Sequence, residues 1–299
     1  MGATLNKENS AAVQNKKRRK QSMFKIICKR LSKNPTAMAG LVIILILVFL
    51  AIFAPLIAPY SPTEMDYTAI NGLPSAKHIM GCDAFGRDIF SRLLYGAKYS
   101  LSLGILCSLI GMVFGLFFGC IVGYIGGTTD MVVMRICDVL SAVPPTLLAI
   151  LISTALGGGF FQTVIAMTVG GIPGSIRGSR AMCLKEREME YLEAAKAMNC
   201  SRLKIIFKHM MPNVISPTIV GTTMHIGSSI MQAAGLAYIG LGIQPPTPEW
   251  GAMLSAAKAS ILDYPHMMIF PGLAIAVTVL AINMFGDGLR DAMDPKLKD

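Results

Sequence analysis

The sequence predicts an all-α membrane protein with six transmembrane helices, and three observations predict it. Hydrophobic residues make up 53% of the 299 positions and charged residues only 15%, with a mean hydropathy of +0.57. That is too little charge to cover a soluble globule of this length. Apolar stretches of crossing length recur along the chain, separated by polar connections. Lys and Arg are concentrated in alternate connections, as they are when successive loops lie on opposite sides of a bilayer.

Residues 1–36 form a basic tail centred on Lys16-Lys17-Arg18-Arg19-Lys20. It leads into a membrane helix, so the expected partner is anionic lipid at the cytoplasmic surface and not nucleic acid. The apolar run that follows is too long for a cleaved signal peptide. A first transmembrane helix is expected over 37–59, ended by Pro55 and Pro59, since roughly 20 apolar residues cross about 30 Å of hydrocarbon. Residues 60–98 are mixed in charge and read as an extracytoplasmic segment. The five-helix core, residues 99–288, begins with a helix over 99–124 carrying Gly111, Gly115, Gly119 and Gly123. Spacing of four puts these glycines on one face, where another helix can approach closely.

Positions 139–176 contain no charge, and 38 helical residues would span about 57 Å, too much for one crossing. Gly157-Gly158-Gly159 divides the run in two, and Pro144-Pro145 kinks the first part. Arg177, Arg180, Lys185 and Arg187 follow, then the long polar stretch 189–213. A fifth helix is expected over 214–239, a proline-rich loop after it, a sixth helix over 264–285, and a cytoplasmic tail over 289–299. With a cytoplasmic N-terminus, the inner segments hold 22 Lys and Arg and the outer ones five, Lys77, Arg87, Arg92, Lys98 and Lys258. That excess orients the chain and places 189–213 in the cytoplasm.

The stretch 189–213, MEYLEAAKAMNCSRLKIIFKHMMPN, is the polar feature around which the apolar elements are arranged. Helix formers run through Glu193-Ala194-Ala195, Asn199 supplies a residue tolerant of left-handed backbone, periodicity resumes over 203–209, and Pro212 forbids simple continuation. The expected shape is helix, turn, helix.

These residues resemble the EAA loop of the membrane subunits of binding-protein-dependent ABC importers, with Asn199 where that family has Gly. A second resemblance lies in GCDAFGRDIFSRLLYGAKYSL, residues 81–101. It is similar to the G-T-D-x-x-G-R-D segment and following S-R-L-x-Y-G-A of the C-type permeases of dipeptide, oligopeptide and nickel importers, with Cys82 for Thr. YIGLGIQPPTPEWGAML and the ending GDGLRDAMDPKLKD are similar to the same permeases, so the resemblance runs from about Asn34 to Pro295.

The resemblance implies a type I ABC importer permease fold with a cytoplasmic coupling helix, in the bacterial inner membrane. The implied partners are a paralogous permease forming a heterodimer, two ATPase subunits and an extracytoplasmic substrate-binding protein. Glu193, Ala194, Ala195, Asn199, His209 and Pro212 are then the coupling residues. Asp83, Arg87, Asp88 and Arg92 are expected to pair with one another and brace their loop. Asp138, His225 and Gln232 are the candidates for the substrate path, since polar groups at membrane depth face a cavity or a neighbouring helix. Di- or oligopeptide is the default cargo; nickel, a metal chelate or a small glycoside stays open.

The chain has no phosphate-binding G-x-x-x-x-G-K-[ST] loop, no H-E-x-x-H and no nucleophile–base pair. No enzyme activity is therefore expected, and no cofactor is expected to be bound by this chain; ATP and magnesium belong to the partner ATPases. Four scattered histidines suggest no metal site. Seven cysteines, mostly in apolar runs, read as small core residues without disulfides. A stand-alone secondary carrier is the alternative of a different class; ion coupling would favour more intramembrane ionisable groups and inverted repeats.

Overall fold

The computed structural model describes residues 23–293; the basic cluster at 16–20 and the last residues of the C-terminal tail lie outside them. Two short helices precede and follow the first crossing: α1 (Met23–Leu31), α2 (Pro35–Ile52) and α3 (Ala54–Ile57). Asn34 caps α2, its Oδ1 accepting from the Thr36 and Ala37 amides, which fixes where the crossing starts. The expected single helix over 37–59 is broken at Phe53, because Pro55 cannot donate to the carbonyl one turn back.

The second crossing, α4 (Ile89–Ile125), starts ten residues earlier than its apolar run suggests. The Asp88 carboxylate accepts from the Ser91 amide at 2.7 Å and starts the helix inside the charged motif. The uncharged run divides where expected. It supplies the end of α5 (Gly127–Ser141), all of α6 (Pro145–Leu156) and the first part of α7 (Phe160–Arg187), with α5 and α6 bent by 78° at Pro144-Pro145. Arg177 and Arg180, assigned from sequence to the polar loop, are in α7.

Next come α8 (Glu190–Ala197) and α9 (Arg202–Lys204). A π-helical stretch, Ile205–Met210, then runs directly into α10 (Met211–Tyr238). Within the proline-rich loop lies an unanticipated helix, α11 (Trp250–Ala257), and α12 (His266–Met293) completes the described chain. By length and apolarity α2, α4 and α12 qualify as crossings, and the bent α5–α6 pair makes a fourth. Helices α7 and α10 are 28 residues each, about 42 Å long, with Gly, Pro, Ser and Thr diluting their apolarity. Together these give six segments of crossing length among the described residues.

Small residues set the packing. A Cβ on Gly119 would sit 2.6 Å from the Ser179 Cβ, and one on Gly115 2.8 Å from the Ser175 carbonyl, so the glycine face of α4 lies directly against α7. On α2, Gly40 meets the Ala281 carbonyl of α12 in the same way. Such close approach replaces the hydrophobic drive that lipid cannot supply. At the end of α4 nearest its start, Glu249 is buried and caps α11. It accepts from the Gly251 and Ala252 amides and from Ser100 Oγ at 2.9 Å, 2.8 Å and 2.9 Å. Burial pushes its carboxyl above the usual range, against the pull of these donors. The Trp250 indole donates to the Leu93 carbonyl, so α11 is clamped onto α4.

Candidate functional site

Two clusters of predicted residues sit at opposite ends of α4. At its start, Asp83 accepts from Arg87 Nε at 2.8 Å and lies 3.6 Å from Arg92 Nε, so one carboxylate sits between two guanidinium groups. Asp88 does not join them. Its second oxygen lies 2.9 Å from His78 Nδ1, because its cap position turns it towards the 75–81 turn and away from both arginines. Arg92 instead donates to the Pro62 and Pro246 carbonyls, tying the 60–88 segment to the loop before α11. His78 carries no motif and was not legible from sequence; only its fold-dependent position beside Asp88 reveals it.

At the other end of α4, α8 rests on an apolar cluster. Leu192 and Ala195 point inward against Leu116, Cys120, Cys183, Ile205, Ile206 and Met210. Glu193, Ala194, Ala197 and Met198 are exposed. Ala194 and Ala195 therefore do not share a contact surface: at about 100° per residue the helix turns one inward and the other out. The alanine at 195 lets α8 lie close to the π-helical stretch, and the one at 194 leaves the outer face flat.

Asn199 adopts φ +54° in a complete Schellman turn. The Cys200 amide donates to the Ala195 carbonyl at 3.1 Å and the Asn199 amide to that of Lys196 at 2.9 Å, closing the end of α8. Asn199→Gly is expected to leave stability unchanged or raise it slightly, and Asn199→Val to lower it by about 1–2 kcal/mol. Thermal unfolding of the purified detergent-solubilised chain checks both values.

Pro212 does not end the helix. The preceding stretch widens to the π form, and the Met211 amide reaches back to the Ile206 carbonyl, so Pro212 is accommodated at the start of α10. A hydrogen-bond chain missed from sequence then holds the segment together. Tyr191 Oη donates to Glu186 Oε1 at 2.6 Å, and Asn213 Nδ2 donates to Tyr191 Oη at 2.8 Å and to the His209 carbonyl at 2.9 Å. It links the end of α7, α8 and the start of α10. Burial first, then the Glu186 contact, pushes the Tyr191 hydroxyl up to about 12, so it stays a donor at neutral pH. His209 Nε2 is buried with no hydrogen-bond partner among the described residues.

Asp138 is not an isolated carboxylate. It is ion-paired with Arg177 at 2.9 Å, while Arg180 makes a two-pronged contact with Asp130 at 2.6 Å and 2.5 Å; these bonds bind α5 across α7. His225 and Gln232 are both exposed along one side of α10, where the Ser228 hydroxyl turns back to the His225 carbonyl. No group of three or more metal-ligating side chains gathers among the described residues.

Residues 115–299 match the family described as binding-protein-dependent transport system inner membrane component, and residues 22–74 match the N-terminal TM domain of oligopeptide transport permease C. The chain is 44% identical over 271 residues to the glutathione transport system permease protein GsiD of Pectobacterium atrosepticum, covering 90% of each chain. It has the same identity to the protein of that name from Escherichia coli O6:K15:H31, covering 90% of this chain and 89% of that one. Among solved structures, the fold is similar to an inward-facing MetNI methionine ABC transporter, with a TM-score of 0.57 and 18% identity over 69% of this chain and 98% of the other. A chain that is nearly all helical over its described residues, with a capped polar helix at one end of its crossings, and matched over these lengths, belongs to the family of binding-protein-dependent transport system inner membrane components.

Proposed function

We propose that this chain is one half of a heterodimeric peptide importer and that α8 is its coupling helix. The chain is a multi-pass inner-membrane permease subunit and not an enzyme, and it works with ATPase subunits and a substrate-binding protein. The observation that carries the peptide reading is the 44% identity, over 90% of the chain, to permease proteins named for glutathione transport. Glutathione is a small peptide. Nothing in the structure favours a metal chelate over it.

In this reading the exposed Glu193, Ala194, Ala197 and Met198 meet an ATPase groove. Buried Ala195 and Leu192 pass the push to α4, α7 and α10. The chain from Glu186 through Tyr191 to Asn213 keeps α8 from swinging independently, and the π turn before Pro212 sets how α10 leaves for the membrane. Two ATPases closing on ATP would thereby rock the paired permeases between inward-open and outward-open states. The exposed side of α10 that carries His225 and Gln232 faces the paralogous subunit across the route. Asp138 holds α5 to α7 and does not contact cargo.

The charge distribution of 22 inner against five outer Lys and Arg supports cytoplasmic termini. The domains then follow: residues 1–36 as a cytoplasmic tail, 37–59 as the first crossing, 60–98 as extracytoplasmic, 99–288 as the permease core with the coupling loop at 189–213, and 289–299 as a tail. Relative to the sequence reading, α4 carries the start of that core back into the extracytoplasmic segment.

Copurification and reconstitution of the complex test this directly. In vesicles with its ATPases and binding protein, uptake of radiolabelled dipeptides and tripeptides is expected to require ATP and to be competed by unlabelled peptide. Uptake competed by nickel or a metal chelate and not by peptide overturns the cargo assignment. Ion-driven uptake by this chain alone overturns the importer assignment.

A further inference from the structure

The close contact of α4 with α7 ends in a pair of thiols. Cys183 Sγ lies 3.0 Å from Cys120 Sγ, and both residues are completely buried. Glycines flank the pair. A Cβ on Gly119 would fall 2.6 Å from the Ser179 Cβ, and one on Gly123 would fall 2.8 Å from the Cys183 Cβ, so the two backbones are drawn together on either side of Cys120. A disulfide holds its sulfurs about 2.05 Å apart, so closing the bond asks for about 1 Å of approach. Tetrahedral zinc bound by two thiolates at about 2.3 Å each would hold the sulfurs roughly 3.8 Å apart, and no third ligand gathers beside them among the described residues. The separation suits a sulfur–sulfur bond and not a metal bridge.

The position gives the bond a consequence. Both sulfurs belong to the apolar cluster that seats Leu192 and Ala195 of α8 and Ile205 and Met210 of the π turn. Helix α7 ends at Arg187, one turn beyond Cys183. A covalent link at this level ties α4 to the arm from which α8 hangs.

We propose that Cys120 and Cys183 are a redox pair that closes into an intramolecular disulfide on exposure to a peroxide-class oxidant, fastening α4 to the α7–α8 arm. One sulfur attacks a peroxide oxygen; the O–O bond breaks, a sulfenic acid forms and one water leaves. The second sulfur attacks that sulfenic sulfur; its S–H proton and the departing hydroxide leave as a second water. The two sulfurs together lose two electrons to one peroxide, so the step balances. Because neither thiol is exposed, the oxidant must be small and uncharged. The effect of the link on transport rests on the importer reading above; formation of the link does not.

The test uses the wild-type complex in its membrane. After hydrogen peroxide, the protein is denatured, alkylated, digested and mapped by mass spectrometry. Expected is a linked peptide joining Cys120 to Cys183, reversed by dithiothreitol, with Cys183 returning to the alkylated form in Cys120→Ala. Both thiols fully alkylated after peroxide, or either joined to a different cysteine, overturns the pair. ATP-driven peptide uptake is expected to fall severalfold on oxidation in the wild type and to stay unchanged in Cys120→Ala. A linked peptide with undiminished uptake overturns the fastening. If the reduced complex shows no ATP-driven uptake, the importer reading fails, while thiol mapping still decides the pair.

Discussion

Glu193→Lys is expected to leave the chain folded and inserted while cutting ATP-coupled uptake by roughly 30-fold or more. The side chain is exposed on the outer face of α8, so the substitution disturbs no packing within the chain. At a docked interface, disrupting a close charge pair costs about 2–5 kcal/mol, and each 1.4 kcal/mol is a factor of ten. The positive charge near the N-terminus of α8 also opposes the helix dipole, a smaller effect of about 0.3–1 kcal/mol. Uptake, ATPase activity and recovery of the ATPases with the tagged permease distinguish these contributions. Coupled uptake at the wild-type rate would exclude α8 as the docking element. Ala195→Glu serves as the contrast: it drives a carboxylate into the buried cluster beneath α8, and the expected loss is of the permease itself.

The second large effect concerns Gly119→Leu. The new Cβ alone would sit 2.6 Å from the Ser179 Cβ and 2.9 Å from both the Arg180 amide nitrogen and the Ile176 carbonyl oxygen. Backbone on both sides leaves nothing to rotate away, so α4 and α7 must separate. Overpacking of this kind costs about 3 kcal/mol or more, expected to lower the apparent melting temperature in detergent by about 5–10 °C. Gly178 is on the opposite side of α7, with nothing within 4 Å of its Cβ position. Gly178→Leu is therefore expected to leave the melting temperature of the isolated chain unchanged. Equal losses in the two variants would mean that the glycine face of α4 does not set the packing.

How much of this was legible in the sequence depends on the range of the interactions. The crossings α2 and α12 follow from apolar length, and the turn at Asn199 follows from local backbone preference; both are properties of a short window. The early start of α4 was hidden because Asp88 sits in a charged stretch that resembles a loop until its carboxylate is seen capping Ser91. Helix α11 was hidden because its cap is Glu249, a residue seldom used that way, made effective by Ser100 149 positions earlier. The ion pair of Asp138 is hidden in the sequence because its partner Arg177 is 39 positions later. Pro212 reads as a helix stop in the sequence because its effect depends on whether the preceding turn is α or π, which composition does not encode.

The break between α5 and α6 bears on how the chain enters the bilayer during synthesis. Helix α6 has 12 residues, about 18 Å of helix against roughly 30 Å of hydrocarbon, and cannot remain in lipid as a span of its own. It completes a crossing only together with α5 and packs along α7 across the turn at Gly157-Gly158-Gly159, so α6 and α7 are expected to settle in the bilayer as a hairpin. Until then Asp130 and Asp138 of α5 wait without Arg180 and Arg177, which are synthesised 50 and 39 residues later. The ion pairs that hold α5 across α7 thus form late in synthesis: a nascent chain stopped before residue 177 has Arg135 beside Asp138 on α5 but neither of the arginines that tie α5 to α7.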